Sequence, residues 1–241
     1  MLSRCGIGLK LIDISTSYTQ CDSYKRKVSL ALLSTISKYC VNLKTVVFKH
    51  FVFENIDHHL VKHFMNQCIK LEKLDLHYCT IGDKLLEIIF SQGKVTTLIL
   101  RSLHIYVSVD SFRFINEHLR ELVIDVSNLK LIGLSHIAMH KSIERLHLFV
   151  FDDLKNFTAK EFPHIFRNLD FCLYGLDLCQ SWIPSLPCNY IPLLRNLRHC
   201  VRLRELRLYD DKLHFDNLFI RDIVTSCKEL HYLVVCVSVD M

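Results

Sequence analysis

The chain predicts an α/β solenoid: repeated strand–helix units stacked side by side, with parallel strands on the concave face and helices on the convex one. The first observation is a phrase that recurs nine times: an apolar residue, two others, an apolar residue, one other, an apolar residue. Its copies are Leu9/Ile12/Ile14, Leu43/Val46/Phe48, Leu71/Leu74/Leu76, Val95/Leu98/Leu100, Leu119/Leu122/Ile124, Ile143/Leu146/Leu148, Leu173/Leu176/Leu178, Leu203/Leu206/Leu208 and Leu230/Leu233/Val235. The second is their spacing, with first positions 34, 28, 24, 24, 24, 30, 30 and 27 residues apart. The third is the helix-like pattern of the intervening stretches, where apolar residues return every three or four positions.

Each part of the unit has a physical reason. In the third copy, Leu74 and Leu76 alternate with Lys73, Asp75 and His77, the period-two pattern of a short strand with one apolar face. Ile81, Leu85, Leu86, Ile88 and Ile89 then suit a helix packed on that strand, with Gly82 and Asp83 where the chain turns and caps it. The same reasoning predicts helices over 27–39, 57–67, 83–91, 109–117, 130–140, 159–167, 190–199 and 215–227. One such unit buries too few side chains to offset its backbone entropy, so neighbours must stack. The period and phrase are those of a leucine-rich repeat, and residues 1–241 read as one array of about nine units.

Composition narrows the function. Half of the 241 residues are hydrophobic and 23% are charged, which argues against disorder. The apolar runs fall short of the roughly 18 residues that a membrane span needs, and the N-terminus lacks the apolar core of a signal peptide. Eleven cysteines, an odd number with no export signal, point to reduced thiols and to the cytoplasm, the nucleus or both. A net charge of +5, with acidic and basic residues interspersed, lacks the concentrated basic stripe of a nucleic-acid binder. No phosphate loop, nucleophile elbow or dinucleotide fingerprint is present, and only six glycines are available to build one. We therefore expect no enzyme, no cofactor and no metal. His59 and His63 share a helix face but no third ligand follows at zinc-finger spacing, and Cys172, Cys179 and Cys188 lack Cys-x-x-Cys pairing.

A finer resemblance lies in "Cys68-x-x-Leu71-x-x-Leu74-x-Leu76-x-x-Cys79-x-Ile81-x-Asp83". Its first half returns at Cys200 and Cys227, and more loosely at Cys40. The pattern resembles the cysteine-containing repeat of F-box/leucine-rich-repeat proteins. The resemblance implies substrate recognition in an SCF-type ubiquitin ligase, with a protein substrate on the concave face and a Skp-type adaptor held by an F-box. No F-box opening of the Leu-Pro-x-Glu kind precedes Ile7, so the adaptor is expected only if an F-box lies upstream. The uncapped first and last units read as part of a longer chain. The alternative is a stand-alone repeat scaffold or decoy with no ligase link.

Recognition residues are expected beside the inner leucines of each strand. Those positions hold Lys73, Asp75 and His77; Thr97, Ile99 and Arg101; Glu121, Val123 and Asp125; Arg145, His147 and Phe149; Gly175, Asp177 and Cys179; Glu205, Arg207 and Tyr209; Tyr232 and Val234. Aromatic and arginine anchors dominate interfaces, which singles out His77, Arg101, Arg145, Phe149, Arg207, Tyr209 and Tyr232 for partner binding. A proline-rich insertion around Trp182 is a second candidate, against the plainer reading that Trp182 packs back onto its own repeat.

Overall fold

A computed structural model describes residues 8–15, 22–53, 58–101, 104–106, 109–125, 136–150, 169, 172–179, 195–209 and 217–236. Every one of the nine phrases builds a strand: β1 (Leu11–Ser15), β2 (Thr45–Lys49), β3 (Lys73–His77), β5 (Thr97–Arg101), β7 (Glu121–Asp125), β8 (Arg145–Val150), β9 (Leu173–Cys179), β10 (Glu205–Tyr209) and β11 (Tyr232–Cys236). They hydrogen-bond in the order β1-β2-β3-β5-β7-β8-β9-β10-β11. The strands that these phrases form are parallel wherever their register is described, the arrangement of an α/β repeat solenoid. Two short strands, β4 (Thr80–Gly82) and β6 (His104–Tyr106), pair separately. Residues 1–122 and 123–241 form two compact units.

In the first unit the register is one repeat to the next. Val46 faces Leu74 and Leu74 faces Leu98; Phe48 faces Leu76 and Leu76 faces Leu100. These side chains are buried while their neighbours in β2, β3 and β5 are half-buried. Helices α1 (Asp22–Tyr39), α2 (His58–Gln67) and α3 (Asp83–Gln92) follow the first three strands. Helix α1 starts five residues earlier than expected, because the 34-residue spacing there supplies extra chain that the helix absorbs. Phe48 meets Phe51, Phe53 and Phe64 at ring separations of 4.7, 5.5 and 6.2 Å. Contacts of this kind add to the area each ring buries.

The helix expected at 109–117 is instead a 3-10 helix, Val109–Phe114. Its residues Val109, Asp110, Ser111 and Phe112 are weaker helix formers than Lys84, Leu85, Leu86 and Glu87 of α3, which lies in a repeat of the same 24-residue length. Asn116 ties it down: its Nδ2 donates to the carbonyls of Phe90 and Gly93 at the end of α3, at 2.5 and 2.8 Å. Such carbonyls have no partner within their own helix.

In the second unit Leu176 faces Leu206 and Leu206 faces Leu233. Helix α4 (Asn217–Ser226) matches the expected 215–227, residues 136–139 form a helical turn within the expected 130–140, and Arg195–His199 is a 3-10 helix where an α-helix over 190–199 was expected. The helix expected at 159–167 lies outside the described residues.

The cysteines do repeated work. Cys40, Cys68, Cys79, Cys172, Cys200 and Cys227 are buried and form no disulfide. Cys68 Sγ donates to the carbonyl of Cys40, 3.9 Å away, one repeat back. Cys227 Sγ donates likewise to Leu197 at 3.4 Å, and Cys79 Sγ to Phe48 at 3.3 Å. A thiol is small enough for the seam between repeats and offers the carbonyl a weak donor. Burial pushes Cys68 and Cys79 up to about 12 and Cys227 to about 11, so these thiols stay protonated and inert as nucleophiles.

Leu74→Ala and Leu206→Ala should each lower stability by about 2–5 kcal/mol through the cavity left behind, read as a fall in the urea midpoint with unchanged slope. An unaltered midpoint for Leu74→Ala would contradict the register.

Candidate functional site

The strand face away from the leucines is where the chain can present chemistry, because period-two geometry turns alternate side chains outward. In the second unit four adjacent strands place His147, Gly175, Glu205 and Tyr232 in one row, and Phe149, Asp177, Arg207 and Val234 in the next. This alignment depends on a bulge. Leu146 pairs with Leu173 but His147 pairs with Gly175, leaving Tyr174 as the extra residue of β9. Bulges re-aim the side chains that follow them.

Gly175 is required at its position. A Cβ there would sit 2.8 Å from the His147 ring. The missing side chain lets that ring lie across β9, stacked on Phe149 with centroids 4.4 Å apart. Phe149 is therefore 7% exposed and serves as a backing for His147, not as the outward anchor its residue type suggested.

Asp177 sits at the centre, 6% exposed. Arg207 Nη1 donates to its Oδ2 at 2.9 Å, while Arg207 Nη2 donates to Glu205 Oε2 at 3.1 Å. His147 Nε2 lies 3.4 Å from Asp177 Oδ1, an ion-pair distance when the imidazole is protonated, although neither atom makes an aligned hydrogen bond. Burial pushes the Asp177 carboxyl up, but His147 and Arg207 together outweigh it and hold the group below the usual carboxylate range. The Arg207 guanidinium lies over the Tyr232 ring, 5.0 Å from its centroid. Tyr232 is 48% exposed. A buried carboxylate thus fixes an arginine, and the arginine fixes an exposed aromatic ring.

At the strand starts, Arg145 lines a cleft of about 160 Å³ with Tyr174, Arg204 and Glu229. Arg204 Nε donates to Glu229 at 2.9 Å and its guanidinium lies 5.6 Å from the Tyr174 centroid. Tyr209 pairs with Cys179 and Cys236 at the strand ends, and Trp182 lies outside the described residues. His77 and Arg101 belong to the first unit, paired on adjacent strands. Sequence reasoning put His147, Gly175, Asp177 and Glu205 on this face but singled out none of them. A glycine inside a strand, which often marks a close approach, was the available signal.

Together these strands carry hydrogen-bond donors, carboxylates and an exposed ring. Among the described residues no three His, Cys, Asp or Glu side chains gather to hold a metal ion, and no helix is long and apolar enough to cross a membrane.

Because Asp177 titrates below its unfolded value, its pairing stabilises the fold fully above about pH 4 and is lost as pH falls through the folded value. Asp177→Asn should therefore lower the urea midpoint at pH 7 and shrink the loss between pH 5 and pH 2. An acid response equal to that of the unchanged chain would contradict the pairing.

No family model matches the chain, and no curated protein matches it. Among solved structures it is similar to the leucine-rich-repeat-containing protein LegL7 from Legionella pneumophila, with a TM-score of 0.60 and 12% identity over 95% of this chain and 84% of that one. Two slighter likenesses carry no argument. D-Psicose 3-epimerase in the presence of D-fructose aligns at a TM-score of 0.29 and 11% identity, over 92% of this chain and 90% of that one. A TLR13–ssRNA13 complex aligns at 0.24 and 12%, over 84% and 45%. The likeness to LegL7, together with the nine-stranded sheet in sequence order, shows a leucine-rich-repeat fold.

Proposed function

We propose that the chain is a protein-binding repeat module whose recognition surface is the strand face around Arg207 and Tyr232. The observation that carries this is the support under those two residues. Asp177, buried, orients Arg207, and Arg207 lies over Tyr232. Anchors held in place before binding lose less conformational freedom on contact, and arginine and tyrosine are the residue types that dominate interface energetics.

The finer role we infer is substrate recognition in an SCF-type ubiquitin ligase. It rests on the resemblance of the Cys68–Asp83 unit to F-box/leucine-rich-repeat proteins, supported by the packing of Cys68, Cys79 and Cys227 against carbonyls of the preceding repeat. The rival is a stand-alone scaffold or decoy.

The test is affinity capture from cell extract with the unchanged chain and with Arg207→Ala/Tyr232→Ala. Loss of two such anchors should weaken retention of a specific partner by at least about 30-fold while leaving the melting temperature within about 2 °C. Equal retention by both would contradict the surface assignment. Co-capture of a Skp-type adaptor and a cullin would favour the ligase receptor, and a partner captured without them the scaffold.

A further inference from the structure

β11 is the last strand in the sheet order, and among the described residues only β10 pairs with it. It is also the exception in composition. Each of the other eight strands of this sheet carries at least one charged residue, whereas β11 reads Tyr-Leu-Val-Val-Cys. Aromatic and β-branched residues favour strands, and an edge strand without charge or proline is a template for another strand. The side chains show the same incompleteness. Leu206 and Leu208 of β10 are fully buried, but Leu233 and Val235, which face them in register, are half-buried. Val234, on the outward face, is half-buried as well, and Tyr232 is 48% exposed.

The backbone fixes which bonds remain to be made. In a parallel strand a residue turns its N–H and C=O to one side, and the next residue turns its own to the other. Tyr232 N–H donates to the Arg204 carbonyl at 3.0 Å. Tyr232 and Val234 therefore bond toward β10, while Leu233 and Val235 turn their N–H and C=O to the open side. An antiparallel copy of β11, related by a two-fold axis at Val234, uses all four groups. Leu233 exchanges both bonds with the partner's Val235, and Val235 with the partner's Leu233. Val234 then meets the partner's Val234 as a close, non-hydrogen-bonded pair, with Cα atoms about 4.5 Å apart. On the inner face the half-buried Leu233 and Val235 cover their counterparts.

We infer that β11 pairs antiparallel with β11 of a second copy of this chain. A two-fold pairing sets one edge against itself, so it demands an edge that does not repel its own image. β11 meets that demand: it has no charge, and the charges on its neighbour β10, Glu205 and Arg207, bind each other. β1, at the other end of the order, does not, because its middle residue is Asp13 and pairing about that residue would bring two carboxylates together. Strands of five residues a side make an interface below the roughly 1,200 Å² of a stable complex, so the dimer is weak and concentration-dependent. The pairing sets the Arg207–Tyr232 groups of both copies on one sheet face, and it does not rest on their role in recognition.

Sedimentation velocity on the unchanged chain at increasing concentration should show a monomer giving way to a dimer. Val234→Lys, which sets two ammonium groups at the closest pair, should weaken the dimer about tenfold or more. Val234→Thr, neutral and β-branched, should keep its affinity within about threefold. Mixing Val234→Lys with Val234→Glu should restore a dimer tighter than either variant forms alone, a result that loss of folding cannot mimic. Leu11→Lys on β1 should change nothing. A monomer at every concentration, which leaves the edge to a strand of another protein, would overturn the inference. So would association indifferent to Val234→Lys, failure of the mixed pair, growth beyond a dimer, or loss through Leu11→Lys as in head-to-tail stacking of β11 on β1. None of these variants replaces Arg207 or Tyr232, so the capture experiment stands or falls separately.

Discussion

The structure depends on pairs of aliphatic side chains that meet their counterparts in the next repeat. Leu74 and Leu76 lie between Val46 and Phe48 on one side and Leu98 and Leu100 on the other. Each strand is too short to be stable alone, and each leucine is buried only because another repeat covers it. Burying a leucine contributes about 1.5–3 kcal/mol, a gain realised only in the stack. The pairing also fixes everything opposite. A slip of one residue would exchange the buried and outward sets, so the leucines decide that Asp75, His77, Asp177 and Arg207 stand on the open face.

On that face polar groups are ordered by burial. Asp177 is nearly inaccessible and ionised because His147 and Arg207 more than offset its desolvation. Asp75 is held less well, and burial raises its carboxyl. Two aspartates that alternate with buried leucines in their strands therefore shift in opposite directions. The difference comes from geometry. Oδ1 is buried without an aligned donor in both, but Arg207 donates to Asp177 Oδ2 across one strand gap, whereas the cations around Asp75 act on it through space.

Much of this was legible in the sequence because it follows from periodicity. All nine strand phrases became strands, and α2, α3 and α4 lie within two residues of their expected ends. The cysteine positions three residues before a strand phrase turned out to be a repeated packing role. What the sequence did not show arises from local departures from the period. The extra residue Tyr174, the close approach at Gly175 and the left-handed His50 and Tyr78 have no periodic signature. Phe149 was read as an outward anchor because alternation put it on that face. It is 7% exposed with the His147 ring stacked on it, a contact that only the three-dimensional neighbourhood reveals. Arg207 and Tyr232 were legible as an arginine and a tyrosine on that strand face, but the ion pair of Arg207 with Asp177 was not.

The most direct test of the stacked ladder is a double-mutant cycle on Leu76 and Leu100, which face each other from strands 24 residues apart in sequence. Truncating both to Ala should give a coupling energy of about 0.5–3 kcal/mol, whereas Leu76 and Leu208, at distant points in the strand order, should be additive within about 0.5 kcal/mol. Additivity at Leu76 and Leu100 would mean that adjacent repeats do not share one core, and the account of the fold would fail with it.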